Sequence, residues 1–263
     1  MTSQLPRSLG VLVLERGLTP DAAPSVLQHN SLTNPDTFNF PVISETVPGA
    51  WSENVVRGDP ALEPAYMAAA RRLVERGAVA ISSNCGFSVR HQAAVAASVS
   101  VPVAMSSLLL LAMLLRQTPP LSKIAVLTYD STHLGEELFG VDDPAERARI
   151  VVGGVEGGEY WRNEMKRPVP PTELASIERD VAASVGRLRD KHPNIATILF
   201  ECAGFPSVAP AIRRLAQLPI YDINALCRMM LASIAEDNKS IEGDRLKQPI
   251  LRANMLPLAL CRD

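Results

Sequence analysis

The sequence predicts an α/β protein of two pseudosymmetric, flavodoxin-like lobes, each a parallel sheet flanked by helices, with the active site in the cleft between them. Three observations lead there. Aliphatic runs of strand length alternate with segments of helical periodicity, the pattern of a parallel sheet covered on both faces. One strand-end motif occurs twice, as Ala78-Val79-Ala80-Ile81-Ser82-Ser83-Asn84-Cys85-Gly86-Phe87 and as Ile195-Ala196-Thr197-Ile198-Leu199-Phe200-Glu201-Cys202-Ala203-Gly204-Phe205-Pro206. Each cysteine is then followed, at the same interval, by a proline opening another apolar segment, Val101-Pro102-Val103 and Leu218-Pro219-Ile220. Two copies of one supersecondary unit follow, with residues 1–107 as the first lobe, joined by the C-terminal segment 221–263, and residues 108–220 as the second.

In chain order, residues 9–14 are a continuous aliphatic run expected as a buried parallel strand, ending at Glu15-Arg16-Gly17. Residues 18–60 are divided by six prolines and read as a long functional loop, with a short strand at 40–47. Asp59-Pro60 is a cap and first-turn pair, and Leu62, Tyr66, Ala69 and Leu73 then recur at helical spacing until Gly77. The Cys85 strand, a helix over 88–99, a strand over 101–105 and a helix over 108–116 behind Ser106-Ser107 complete the first copy. The second opens with the strand 123–128. Residues 130–150 read as helical with a break at Asp143-Pro144, and 151–171 as a glycine- and proline-rich connection. A helix from Thr172 buries Leu174, Ile177, Val181, Val185 and Leu188; the Cys202 strand, a helix over 207–216, a strand over 219–222 and a last helix over 224–235 follow.

Composition bounds the function. Of 263 residues, 47% are hydrophobic and 21% charged, with net charge −2, which suits a globular protein and gives no basic footprint for nucleic acid. The longest apolar run, 108–115, is too short for a bilayer, and residues 1–7 lack the apolar core of a secretory signal. A cytoplasmic enzyme with neither nucleic acid nor membrane as partner is expected. The cysteines at 85, 202, 227 and 261 show no Cys-x-x-Cys spacing, and no histidine lies beside Cys85 or Cys202, so free thiols are expected and a metal is not.

Both motif cysteines fall at carboxyl ends of strands, where open α/β sheets bind ligands. Backbone N–H groups at a helix start lower a thiol's pKa, and Gly86 and Ala203-Gly204 let such groups approach a carboxylate. Two thiols on opposite faces of a carbon next to a carbonyl suit stereoinversion, one removing a proton and the other delivering one, with no cofactor. Ser106 and Thr128, at strand ends, either donate to the substrate carboxylate or act as helix caps. Cys227 and Cys261 read as structural. Glu201 is expected to point away from the Cys202 side chain by strand alternation, as partner to a neighbouring segment. Asp222 is an outer-layer candidate, and Glu15 and Arg16 are weaker cleft candidates.

These residues resemble the aspartate/glutamate/hydantoin racemase superfamily. The resemblance rests on Ser83-Asn84-Cys85-Gly86-Phe87, on Glu201-Cys202-Ala203-Gly204-Phe205-Pro206 and on the duplicated layout. It implies two pseudosymmetric lobes around a small carboxylate-bearing substrate, catalysis by Cys85 and Cys202, no cofactor and a homodimer. It places substrate binding at Asn84, Gly86, Phe87, Ser106, Thr128, Ala203 and Gly204. Glutamate and aspartate racemases follow the first cysteine with Asn-Thr, whereas Gly86-Phe87 follow here; Cys-Ala-Gly after the second strand looks more like hydantoin racemases. Residues 34–38 and 40–41 are similar to an uncharacterised branch. The expected activity is therefore racemisation or epimerisation at the α-carbon of an aspartate- or glutamate-like amino acid or a derivative. Hydantoin racemisation, decarboxylation or cis–trans isomerisation on the same scaffold are alternatives, and a non-catalytic small-molecule binder is the alternative of another class.

Overall fold

The computed structural model describes residues 6–17 and 28–234. Cys261 lies outside the described residues, as does part of the long loop read over 18–60. The first sheet begins with β1 (Ser8–Val13), followed after a 3-10 turn (Pro35–Thr37) by β2 (Val42–Thr46), which pairs parallel with it. A short helix, α1 (Ser52–Arg57), interrupts the loop read there; it ends at Gly58, whose left-handed φ of 76° lets its N–H reach the Asn54 and Val55 carbonyls. The Asp59 carboxylate then accepts the Ala61 N–H at 2.9 Å, and α2 (Glu63–Glu75) follows a single 3-10 turn. Tyr66, Ala69, Ala70 and Leu73 form the buried stripe of α2. Gly10 permits the approach to β1, since a Cβ there would lie 3.1 Å from Leu73 and 2.9 Å from Ala78.

β3 (Ala78–Ser83) pairs with β1 and ends at Asn84-Cys85. The helix expected at 88–99 is split into a 3-10 turn (Gly86–His91) and α3 (Gln92–Ser98). β4 (Val103–Ala104) closes the sheet, and a 3-10 turn (Ser107–Leu110) leads into α4 (Leu111–Gln117).

The second sheet repeats the plan. β5 (Lys123–Thr128) is followed by a region that departs from the sequence reading. Residues 130–150 hold only a 3-10 turn (Glu136–Leu138) and α5 (Pro144–Arg147), because Gly135, Gly140 and Pro144 divide the segment. The connection read over 151–171 contains a strand, β6 (Ile150–Gly154), and a helix, α6 (Glu159–Glu164). Gly153 sits in that strand because a Cβ would meet Leu188 at 2.7 Å and Ser184 at 2.8 Å on α7 (Leu174–Lys191). β7 (Ile195–Phe200), α8 (Ala209–Ala216), β8 (Ile220–Tyr221) and α9 (Ile223–Ile234) complete the chain.

Both sheets are four-stranded and wholly parallel, in the orders β2-β1-β3-β4 and β6-β5-β7-β8. The register slip between Ser8 and Leu9 in the first recurs between Lys123 and Ile124 in the second. Continuous parallel pairing buries the strands on both faces, which explains unbroken runs such as Ile124 to Thr128. α9 returns to pack on β3. No helix among the described residues is long and apolar enough to cross a membrane.

Candidate active site

The carboxyl ends of the two sheets meet. Ser107, after β4, donates its hydroxyl to the Phe200 carbonyl at the end of β7 (2.7 Å), and the side chain of Arg16, after β1, makes two hydrogen bonds to Glu164 on α6 (3.1 and 3.0 Å). The Val169 N–H also donates to the Arg16 carbonyl.

Cys85 and Cys202 sit at this junction as free thiols, Cys85 half-buried and Cys202 only 8% exposed. The N–H groups of Phe87 and Ser88 favour a Cys85 thiolate and that of Gly204 a Cys202 thiolate, while the hydrogen bond that the Ser88 N–H makes is to the Cys85 carbonyl at 3.1 Å. These are the donors expected at a helix start, but the net direction is the opposite of the one expected. Burial pushes the Cys85 thiol up to about 12, with the charge of Glu201 next, and the two N–H groups only partly offset this. Cys202 is likewise raised by burial, then by Glu201. Desolvation of a thiolate outweighs a few N–H dipoles when no cation stands beside it.

The remaining predicted residues divide. Asn84 ties the strand ends together, its Oδ1 accepting the Leu14 N–H at 3.0 Å. Gly86 lies against Glu201, and a Cβ there would collide with both Oε1 and the main-chain oxygen of Glu201. Phe87 is buried beneath Cys85, and Ala203 is buried beside Cys202. Gly204 faces the Tyr160 hydroxyl, which would block any side chain at that position. Ser106 acts as a cap, its Oγ accepting the Leu108 N–H at 3.2 Å. Thr128 spends its hydroxyl on Glu201 Oε2 at 2.7 Å. Asp222 caps α9 through the Ala225 N–H, Glu15 accepts the Gly49 N–H, and Cys227 is buried in the core.

Two further groups of residues stand at the site, the first of them not foreseen from the sequence. α6 brings Tyr160, whose hydroxyl is 3.9 Å from Cys202 Sγ, together with Trp161 and Glu164. Tyr160 packs edge-on to Tyr129 with centroids 6.0 Å apart, and Tyr129 stacks with Trp161 at 6.3 Å. Trp161 Nε1 donates to Asp130 at 3.0 Å. The adjacent aromatic residues Tyr160-Trp161 after Gly157-Gly158 were the signal available in the sequence. The second is Glu201. Its side chain follows the end of β7 at Phe200, and its carboxyl turns toward Gly86, the residue after Cys85, and toward Thr128, the neighbouring-segment partner. Among the described residues no group of three His, Cys, Asp or Glu is arranged to hold a metal ion.

Among solved structures, a glycine-to-cysteine variant of arylmalonate decarboxylase in a sulfate-associated form matches with a TM-score of 0.51 over 87% of this chain and 95% of its own, at 17% identity. Glutamate racemase from Francisella tularensis with D-glutamate gives 0.51 over 87% and 80%, at 14% identity. Allantoin racemase from Klebsiella pneumoniae gives 0.51 over 86% of each chain, at 11% identity. The chain has the fold of the aspartate/glutamate/hydantoin racemase superfamily.

No family model matches the sequence. Curated relatives do: a dimethylsulfoniopropionate lyase of Durusdinium sp. clade D is 32% identical over 200 residues, 72% of this chain and 64% of that protein. A dimethylsulfoniopropionate lyase of Emiliania huxleyi is 28% identical over 242 residues, 88% of this chain and 60% of that protein. The chain thus spans under two thirds of the length of these relatives. The racemase-superfamily scaffold therefore carries, in its curated sequence relatives, a lyase name where the sequence reading expected an amino acid racemase.

Proposed function

We propose that this chain is a lyase that removes a proton from the carbon next to a carboxylate and expels a dialkyl sulfide from the neighbouring carbon, with dimethylsulfoniopropionate as substrate. The observation that supports this reading is the pair of free thiols at the meeting ends of the two sheets, Cys85 half-buried and Cys202 enclosed. Cys85, the more open thiol, acts as the base in its thiolate form. The C–H electron pair becomes the C=C bond of acrylate, the C–S bond breaks, and the sulfonium leaves as neutral dimethyl sulfide. Cys202 lies on the other side and holds its proton. No redox change occurs in this elimination, and the thiol regenerated at Cys85 returns its proton to water.

Two further features support a cationic substrate. Tyr129, Tyr160 and Trp161 form an aromatic wall beside Cys202, and a sulfonium next to such rings gains from their negative faces. The backbone N–H groups of Gly86 and Ala203 and the side-chain amide of Asn84, which are not spent on the thiols, would receive the carboxylate. The Arg16–Glu164 ion pair joins the end of β1 to α6 beside these residues.

A second reading, inversion at the α-carbon of an amino acid or hydantoin, is favoured by the second thiol, which a simple elimination does not require. Both readings begin with the same proton abstraction. Incubating the protein with dimethylsulfoniopropionate and following dimethyl sulfide in the headspace separates them. Release of sulfide with acrylate is expected. No sulfide, together with deuterium exchange and loss of optical rotation in enantiopure amino acids or hydantoins, overturns the lyase reading in favour of inversion.

A further inference from the structure

Glu201 adjoins both cysteine-bearing turns. Its peptide bond leads directly into Cys202, while its carboxyl packs on Gly86, the residue after Cys85, so closely that only glycine fits. The side chain is 1% exposed. Oε2 accepts from Thr128, but Oε1 is buried with no hydrogen-bond partner among the described residues. No cation appears among the groups that act on it. A buried carboxylate with one bare oxygen and no counter-ion carries a desolvation penalty that a bound proton removes.

We propose that Glu201 is a positioning residue of the two-thiol site, an uncharged carboxylic acid in the resting protein whose deprotonation places a negative charge beside both Cys85 and Cys202 and so withholds either thiolate. The inference rests on the acid–base reading above for its purpose. The step is loss of the carboxyl proton to water. Burial raises the carboxyl to about 7, against the Thr128 hydroxyl and the Tyr129 N–H, so the switch falls in the neutral range. Glu201 is also the charge that most raises each thiol. The other titratable groups facing the thiols are Tyr160 and Glu164 from α6 and Tyr129 from the end of β5; Arg16 neutralises Glu164, and Asp130 is held by Trp161 and Thr132. None of them touches both cysteine-bearing turns as Glu201 does. With Glu201 protonated, the site holds a single added negative charge when one thiol ionises.

The test is iodoacetamide alkylation of the full chain against pH, read at each cysteine by peptide mass spectrometry, in the wild type and in Glu201→Gln. The amide keeps the size and the Thr128 contact but does not ionise. The curves are expected to coincide below about pH 6 and to separate above it, with Cys85 and Cys202 reacting on the order of tenfold faster in the variant. Cys227, on which Glu201 does not act, keeps its rate. Coincident curves across the whole range, in a variant with wild-type circular dichroism and melting, overturn the inference. Should Glu201→Gln not fold, the infrared carbonyl band of a protonated carboxylic acid decides in the wild type. Its presence near pH 6 and loss by about pH 8 support the inference, and its absence throughout overturns it. Alkylation needs no substrate, so failure to release dimethyl sulfide sinks the lyase reading and leaves this answer legible, and the converse holds.

Discussion

Cys85 follows β3 and precedes a six-residue 3-10 turn, whereas Cys202 follows β7 and precedes a three-residue turn reached only after Ala203-Gly204. The strands behind them share order, direction and the position of a register slip. The difference lies in what covers each sulfur. The N–H groups of Phe87 and Ser88 favour a thiolate at Cys85, which stays half-buried. Cys202 has the Gly204 N–H and is roofed by the Tyr160 hydroxyl. The charge of Cys85 further raises Cys202, so ionisation of the first opposes that of the second. Duplication thus supplies two thiols at equivalent places, while local covering sets them apart, one half-buried and the other enclosed.

Removing the base has the largest expected consequence. Cys85→Ser replaces a thiolate by a hydroxyl that does not ionise in the working range, and turnover of dimethylsulfoniopropionate should fall by about a thousandfold or more. Because burial holds the thiol high, the wild-type rate should climb as pH rises from neutral into the alkaline range. A pH-independent rate would break the assignment of a thiolate base. Gly86→Ala comes next. The added methyl meets Glu201 Oε1 and its main-chain oxygen, and the latter belongs to the strand end and has no rotamer to escape into. A loss of about a hundredfold in turnover and of about 2 kcal/mol in stability is expected, read by kinetics and thermal melting.

Much of this fold is legible in periodicity alone. Tyr66, Ala69 and Leu73 on α2, and Ile177, Val181, Val185 and Leu188 on α7, are buried as their spacing requires; Leu174 of the same stripe, the first residue of the helix, is 41% exposed. β6 escapes such a reading for a tertiary reason. Glycine is a poor strand former, and Gly153 is there to admit Leu188 and Ser184, which local sequence does not reveal. Missing that strand also hid α6, and with it Tyr160, Trp161 and Glu164. The thiols were legible because a duplicated motif announces itself. Their ionisation was not, since helix-start donors are local while burial is a property of the assembled junction. Glu201 does partner a neighbouring segment, through Thr128 on β5, but its packing on Gly86 is a tertiary contact that local alternation does not reveal.

The inequality of the thiols is sharpened by two smaller effects. Cys202→Ser should reduce elimination by only about tenfold, as the enclosed thiol holds a proton and is not the group that accepts one from the substrate. Inversion needs both thiols, so equal losses at Cys85 and Cys202 in the same kinetic assay would restore the symmetric, racemase-like arrangement. Tyr160→Phe tests the roof itself. The phenol donates to a Cys202 thiolate and so lowers that thiol against the larger effect of burial. Without the hydroxyl, the alkaline limb of Cys202 alkylation should move to higher pH and its rate at about pH 8 should fall a few-fold, while Cys85 keeps its profile. A shift of both cysteines together would mean that Tyr160 sets the field of the whole cleft rather than the proton on one sulfur. The difference between the halves would then belong to accessibility alone.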